Sequence, residues 1–335
     1  MSALDDLAKE LEKAIGANSD KQAVTNFIDT GFPPLNKIVS GDFSNGLPQG
    51  RLMEMYGPSS SGKTAIATKW MIQAQQQGGV AGFMDHERSF DVDLAKSMGL
   101  TDEFPFWIYK RPRTWEESNM LMAKAAEIIR KSGKFAPDAP ILFVFDSIAA
   151  ALPKSTVEKE IDEYNMNDTT ALARVTSTTL KSIAQYAEDH NFTVLYLNQI
   201  RTKPGVVYGD PTTTPGGGAM EFYATTRIAL GRKKIMEERG GEKVFIGQEI
   251  TMKTVKNKLT RPFQEVSFRM MFDDNGNASF DVTGSTVDWL VQKGKLASYG
   301  QRVTWIDGKQ YFKKALVAHI ESTGQQAELV KLCQT

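Results

Sequence analysis

The chain has 335 residues, 41% of them hydrophobic and 24% charged, enough to bury a sizeable core as one large domain or two unequal ones. Lysine plus arginine equals aspartate plus glutamate at 40 each, so overall charge gives no support to nucleic-acid binding, and any such binding must come from local basic loops. A single cysteine, Cys333, excludes an internal disulfide, and the chain shows neither a secretory leader nor an apolar run that could span a bilayer, so the expectation is a cytoplasmic protein without a membrane partner.

Leu4, Leu7, Ala8, Leu11 and Ile15 fall on one face of a helix that ends near Gly16, followed by a polar linker over 20–26. That stripe must be buried either on its own core or on a neighbouring subunit. From Gly31 onward, strand-like runs alternate with helical periods. Strands are expected at Arg51–Tyr56, Val80–Asp85, Phe106–Lys110, Ile141–Phe145 and Phe192–Asn198, and helices at Ala65–Gln77, Asp93–Met98, Trp115–Lys131 and Asp168–His190. This alternation predicts an α/β fold with a mainly parallel sheet. Thr225–Arg232, Gln248–Lys258 and Gln264–Phe272 lack intervening helices and suggest an antiparallel extension of that sheet. The rest reads as a small C-terminal lobe with a short helix at Asp288–Leu290 and a hairpin over Tyr299–Phe312. Its Trp289, Trp305 and Tyr311 are either core or exposed to a binding partner, with core favoured. The expected organisation is 1–30 as an N-terminal helix and linker, 31–272 as the core, and 273–335 as the lobe.

The strongest chemical signal is Gly57-Pro58-Ser59-Ser60-Ser61-Gly62-Lys63-Thr64, which fits G-x-x-x-x-G-K-S/T and lies between a strand and a helix. Such a loop wraps phosphate oxygens in backbone N–H groups at the positive end of the helix. Lys63 would reach the β- and γ-phosphates of ATP, and the Thr64 hydroxyl would ligate Mg²⁺. Asp146 ends the apolar strand Ile141–Phe145, the Walker B arrangement, and would hold the same Mg²⁺. Glu87, just beyond the strand that ends at Asp85, is the best candidate for a general base, with a solvated loop glutamate as the bland reading; the adjacent His86 reads as incidental.

At this point five ordered segments resemble bacterial-type RecA recombinases: GLPQGRLMEMYGPSSSGKT, FMDHE, VFDSIAAALPK, LYLNQIRTKPGVVYGDPTTTPGGGAMEFYA and VKNKL. The resemblance runs from about Thr30 to Phe272 and implies a RecA-like P-loop ATPase core. It makes Glu87 the catalytic glutamate, Asp91 an acid near the adenine, and Gln199 the sensor of the γ-phosphate. Leu94 stands where the family carries an aromatic against the base. Lys256 and Lys258 resemble a pair that reaches the neighbouring subunit's nucleotide; two cations two residues apart on a strand point to one side, and they would stabilise charge on the transferring phosphoryl group.

Two segments match the family's DNA-binding loops. In the first, at about 158–168, Met166 corresponds to an apolar wedge between bases, and Arg174, Ser177 and Lys181 follow on one helix face. The second, Ile200 to Pro215, carries Arg201, Lys203 and Pro204 and leads into Gly216-Gly217-Gly218. A loop this long is usually functional, and its glycines let backbone approach phosphates closely. An order–disorder switch of this loop beside Gln199 would couple nucleotide state to DNA affinity. Glu221 replaces a family lysine, and Phe222 resembles an interface aromatic. The long acidic tail of many bacterial members is missing, which also fits a phage-encoded relative.

The resemblance implies an ATP- and Mg²⁺-using, DNA-dependent ATPase. It would assemble as a helical filament on single-stranded DNA and pair it with homologous double-stranded DNA in recombination and repair. A ring-forming replicative helicase and a non-motor ATPase regulator are the alternatives.

Overall fold

Strand β1 (Leu52–Gly57), β2 (Val80–Asp85) and β4 (Ile141–Asp146) are buried along their whole length, as continuous apolar runs in a sheet covered on both faces require. With β3 (Trp107–Lys110), β5 (Thr193–Gln199), β6 (Thr226–Arg239), β7 (Glu242–Asn257), β8 (Glu265–Phe272) and β9 (Ala278–Asp281) they form one nine-stranded sheet. Its order is β9-β8-β7-β6-β1-β5-β4-β2-β3. The computed structural model describes residues 3–15, 24–163, 166–202 and 212–335.

Every pair from β6 through β1, β5, β4 and β2 to β3 is parallel, and β6 through β9 pair antiparallel. The expected run Thr225–Arg232 joins the two parts of the sheet: it pairs antiparallel with β7, and its residues Thr226–Ala229 also pair parallel with Met53–Tyr56. Between Gln199 and Thr226 the described residues hold two paired two-residue strands and the short helix Ala219–Tyr223, so no long helical period marks the crossover. The sheet also continues beyond residue 272, through β9.

Successive side chains along each strand serve opposite faces. Met53, Met55, Phe83, Val144 and Leu197 pack on one side with helix Lys63–Gln76, and Leu52, Met84, Phe145 and Tyr196 on the other with Trp115–Lys131 and Met166–Asp189. We number these helices in chain order: α1 (Ala3–Ile15), α2 (Lys63–Gln76), α3 (Trp115–Lys131), α4 (Met166–Asp189) and α5 (Ala219–Tyr223).

The amphipathic α1 does not bury its stripe on its own chain: Leu4, Leu7 and Leu11 are 75%, 50% and 49% exposed. The C-terminal lobe has a core of its own around Val287, Leu290, Val303, Leu316 and Ile320. Trp305 is buried there, its indole N–H donating to Gln325, and Trp289 and Tyr311 pack against the same cluster. Where a hairpin was expected, three short strands pair instead, Ser298–Tyr299, Arg302–Thr304 and Gln310–Phe312. Among the described residues, no helix is long and apolar enough to cross a membrane.

Candidate nucleotide and nucleic-acid sites

β1 delivers the chain to Gly57 at the sheet edge, and α2 starts at Lys63. Close packing dictates both glycines of the loop between them. A Cβ on Gly57 would meet Leu230 Cβ at 2.8 Å, and one on Gly62, whose φ is +88°, would meet Ile250 Cδ1 at 2.8 Å. Lys63 Nζ is folded back onto the loop, donating to the Gly57 carbonyl at 3.2 Å and the Pro58 carbonyl at 2.9 Å. Burial lowers its pKa, while Asp146 and Glu87 pull the other way.

Thr64 Oγ1 donates to Asp146 Oδ2 at 3.0 Å. Burial, then the nearby Glu87, raises the Asp146 carboxyl to about 7. A hydroxyl and a desolvated carboxylate side by side suit a hard, oxygen-liking cation that takes its remaining ligands from phosphates and water. Such a site needs only one or two protein oxygens. Within the loop, Ser61 Oγ is buried without a hydrogen-bond partner in the chain. The donor set therefore fits a magnesium–triphosphate.

β2 ends in Asp85, whose buried carboxylate accepts the N–H of Arg88 at 2.7 Å and those of Ser89 and Phe90 at 3.4 Å, with the Tyr109 hydroxyl at 2.8 Å. These bonds shape the turn that carries Glu87. Glu87 Oε1 accepts from the Ser147 hydroxyl and from Gln199 Nε2 at 3.2 Å. His86 turns away: its ring stacks on Phe145 at 4.5 Å and shares a 2.6 Å hydrogen bond with Ser118. Burial, with Arg88 next, pushes its pKa down to about 4, so it is neutral at physiological pH. The structure thus gathers Lys63, Thr64, Glu87, Asp146 and Gln199 at one edge of the sheet. Asp91 caps the helix Val92–Ser97, accepting the Leu94 N–H at 2.9 Å, and Leu94 is exposed beside it.

Lys256 and Lys258 are not part of that group. Lys256 pairs in register with Arg227, and Arg227 with Glu54, below the tip of β1. Lys256 Nζ donates to the carbonyls of Glu221 and, at 3.0 Å, of Phe222, and Lys258 Nζ to that of Phe222 at 3.3 Å. Burial, then Lys258 and Arg227, lowers Lys256 to about 8. Phe222, 75% exposed, lines a cavity of about 630 Å³ with Lys258 and with Gly50–Leu52, the start of β1 and the end opposite the phosphate loop.

Arg174, Ser177 and Lys181 share an exposed face of α4, with Arg174 Nη2 donating to Thr170 Oγ1 at 3.2 Å. Met166 opens that helix, and its side chain is outside the described residues, as are Lys203 and Pro204 altogether. Arg201 is exposed on a two-residue strand that pairs with Thr212–Thr213. Gly216 and Gly217 have φ of +92° and +72°, and a Cβ on Gly216 would meet Ile148 Cγ2 at 2.9 Å. The Gly216 carbonyl accepts from Thr176 Oγ1 at 2.7 Å, and Gly218 leads into α5.

Several polar residues at the site escaped the sequence reading. Ser147 holds Glu87. Arg232 Nη1 donates to the Ser60 carbonyl of the phosphate loop at 3.1 Å. Glu54, Asn198 and Arg227 form a buried network beneath the site. The one available signal was a carboxylate inside the otherwise apolar strand RLMEMY.

The RecA N-terminal domain family matches residues 3–277. The chain is similar to Protein RecA of Sulfurimonas denitrificans, 34% identical over 309 residues, which cover 89% of this chain and 84% of that protein. It is also similar to Protein RecA of Geobacter sulfurreducens, 34% identical over 301 residues (87% and 81%), and to that of Wolinella succinogenes, 32% identical over 339 residues (98% and 91%). With a G-x-x-x-x-G-K-T loop between a strand and a helix at the edge of a mainly parallel sheet, the chain belongs to the RecA family of recombinases.

Proposed function

We propose that the chain is a DNA-dependent ATPase that polymerises on single-stranded DNA with ATP and Mg²⁺ and promotes pairing and strand exchange with homologous double-stranded DNA. The observation that carries this reading is the separation of two sets of charge. Lys63, Thr64, Glu87, Asp146 and Gln199 converge at one edge of the sheet, while Lys256 and Lys258 lie toward its other end, against Phe222. A second copy would bring its lysine pair to the first copy's triphosphate.

In the bound state Lys63 exchanges the Gly57 and Pro58 carbonyls for phosphate oxygens, and the loop N–H groups cradle the same chain of phosphates. Thr64 and Asp146 would hold Mg²⁺, which would supply positive charge to offset that of the phosphates. Glu87, kept in place by Ser147 and Gln199, takes the proton of the attacking water. Gln199 gives up its bond to Glu87 when it meets the γ-phosphate. Asp91 lies near the adenine, and Leu94 supplies no aromatic ring to stack on it.

Self-assembly is supported by a second pair of surfaces. The exposed leucines of α1 are matched by an apolar groove of about 390 Å³ lined by Phe104, Pro105, Ile108, Leu121, Ile128 and Phe135. A stripe on one part of a molecule and a groove on another make a head-to-tail contact, which generates helical filaments when the rotation does not close. Residues 1–30 serve that docking, 31–272 the ATPase and DNA loops, and 273–335 the lobe. We assign the DNA contacts to Arg174, Ser177 and Lys181 on α4, with Met166 at its start, and to Arg201, Lys203, Pro204 and the glycines 216–218.

Electron microscopy on single-stranded DNA with a non-hydrolysable ATP analogue, followed by a strand-exchange assay, tests the proposal. Filaments and exchanged strands are expected. Closed rings would favour a helicase, and assembly indifferent to DNA would favour a protein-binding regulator.

A further inference from the structure

Beneath the phosphate site lies a charged pair with no place in the chemistry described so far. The Glu54 side chain is 0% exposed and that of Arg227 10%, and they meet at 2.6 Å between β1 and β6. Stability alone is a weak reason for such a pair, because replacing a buried ion pair with apolar groups of similar size is often neutral or stabilising. Its partners give a better reason. Glu54 Oε1 accepts Asn198 Nδ2 at 2.8 Å, and the same Nδ2 donates to the Pro215 carbonyl at 2.9 Å. Asn198 Oδ1 accepts the backbone N–H of Gln199 at 2.9 Å. Both protons of the amide are thereby used, and its oxygen accepts as well. On the other side of Glu54, Arg227 Nη2 donates to Thr214 Oγ1 at 3.4 Å, and Nη1 pairs with Glu221 at 3.3 Å.

We infer that Glu54, Asn198 and Arg227 are positioning residues that form a buried relay, fixing the stem 212–218 of the second loop against the sensor Gln199. The inference rests on the DNA-loop reading above. Thr214 and Pro215 are held by side chains that also hold Glu54, and the donor to Pro215 is Asn198, the residue next to Gln199. Displacement of Gln199 by a γ-phosphate therefore reaches the stem through Asn198. A second input arrives through α5, because Glu221 offers its carboxylate to Arg227 and its carbonyl to Lys256. When Lys256 leaves for the neighbour's nucleotide, that carbonyl loses its partner. One carboxylate thus lies between two nucleotide contacts and one end of the DNA loop.

The discriminating variant is Arg227→Lys in the full chain. Lysine keeps the charge that Glu54 needs but lacks the fork that reaches Thr214 and Glu221 at once. Binding of a fluorescent ATP analogue without DNA should stay within about twofold of the unaltered chain, and the ratio of DNA-bound to DNA-free turnover should fall about tenfold, the coupling that one or two hydrogen bonds can carry. An unchanged ratio would overturn the relay, as would an equal fall in turnover with and without DNA. Should Arg227→Lys fail to fold, Thr214→Val removes a single acceptor and should lower the same ratio about threefold, with no change counting against the relay. An unaltered chain that single-stranded DNA does not stimulate would overturn the DNA-loop reading and the relay with it.

Discussion

Two inactive variants should restore each other if the nucleotide lies between copies. Lys63→Ala removes the cation of the phosphate loop, and Lys256→Ala with Lys258→Ala removes the pair at the far end of the sheet. Within one chain these groups are well apart. Lys256 is level with Glu54, three residues before Gly57 and two strands away from β1. At ~3.3 Å per residue along the strand and ~4.8 Å between strands, the backbones are about 14 Å apart, with the lysine side chains directed at α5 rather than the loop. Losing transition-state cations should slow each parent by roughly 10²- to 10³-fold. In an equal mixture, a head-to-tail seam has an intact loop on one side half the time and intact lysines on the other half the time. About a quarter of seams should then be whole. The assay is ATP turnover on single-stranded DNA at fixed total protein while the mixing ratio is varied. A maximum near equal mixing, at about a quarter of the unaltered rate, is expected. A straight line joining the two parents, with no maximum, would refute the shared site.

Glu87→Gln should bind ATP and single-stranded DNA normally and hydrolyse about 10²- to 10⁴-fold more slowly, and normal turnover would remove Glu87 from the base role. Binding to single strands should weaken with salt, each phosphate contact contributing about −0.7 to the slope of log K against log salt; Arg174, Lys181, Arg201 and Lys203 together give roughly −3 per protomer at most, and Arg174→Ala should remove about 0.7 of it. His86 supplies a pH test, because its folded pKa of about 4 lies below the usual 6.5. Between those values the unfolded chain takes up a proton that the folded chain refuses, so stability falls as pH drops from 6.5 to 4, by on the order of 3 kcal/mol at most. Thermal unfolding of His86→Gln should be flatter across that interval, and a curve parallel to that of the unaltered chain would mean that His86 is not held neutral.

The placement of the loop 57–64 was legible because contiguous residues between a strand and a helix carry their own geometry. Asp146 was legible for a related reason, as the end of an apolar strand. Ser147 and Arg227 were not, since their meaning lies in partners 60 and 173 positions away, Glu87 and Glu54. The long hairpin of β6 and β7 was only partly legible. Its outer half, Lys233–Arg239, projects into solvent and has no apolar face to generate a period. The only local mark of its tip is Gly240-Gly241, whose φ values of +61° and +85° are those of a tight hairpin turn. The exposed leucines of α1 show a different limit, since periodicity reveals a stripe without saying which molecule covers it.

On the proposed reading, the pairing of β1 with β5 ties sensing to loop control. Gly57 is in register with Gln199, and Tyr56 with Asn198, so the phosphate loop and the second loop leave the sheet side by side. Because side chains alternate, Asn198 faces the side of the sheet that holds Glu54, while Gln199 faces the other way and reaches Glu87. Adjacent residues therefore face the stem and the nucleotide. A shift of this strand end toward a terminal phosphate cannot move Gln199 without moving the amide that holds Pro215. Coupling would then follow from strand geometry, with no need for a separate mobile domain.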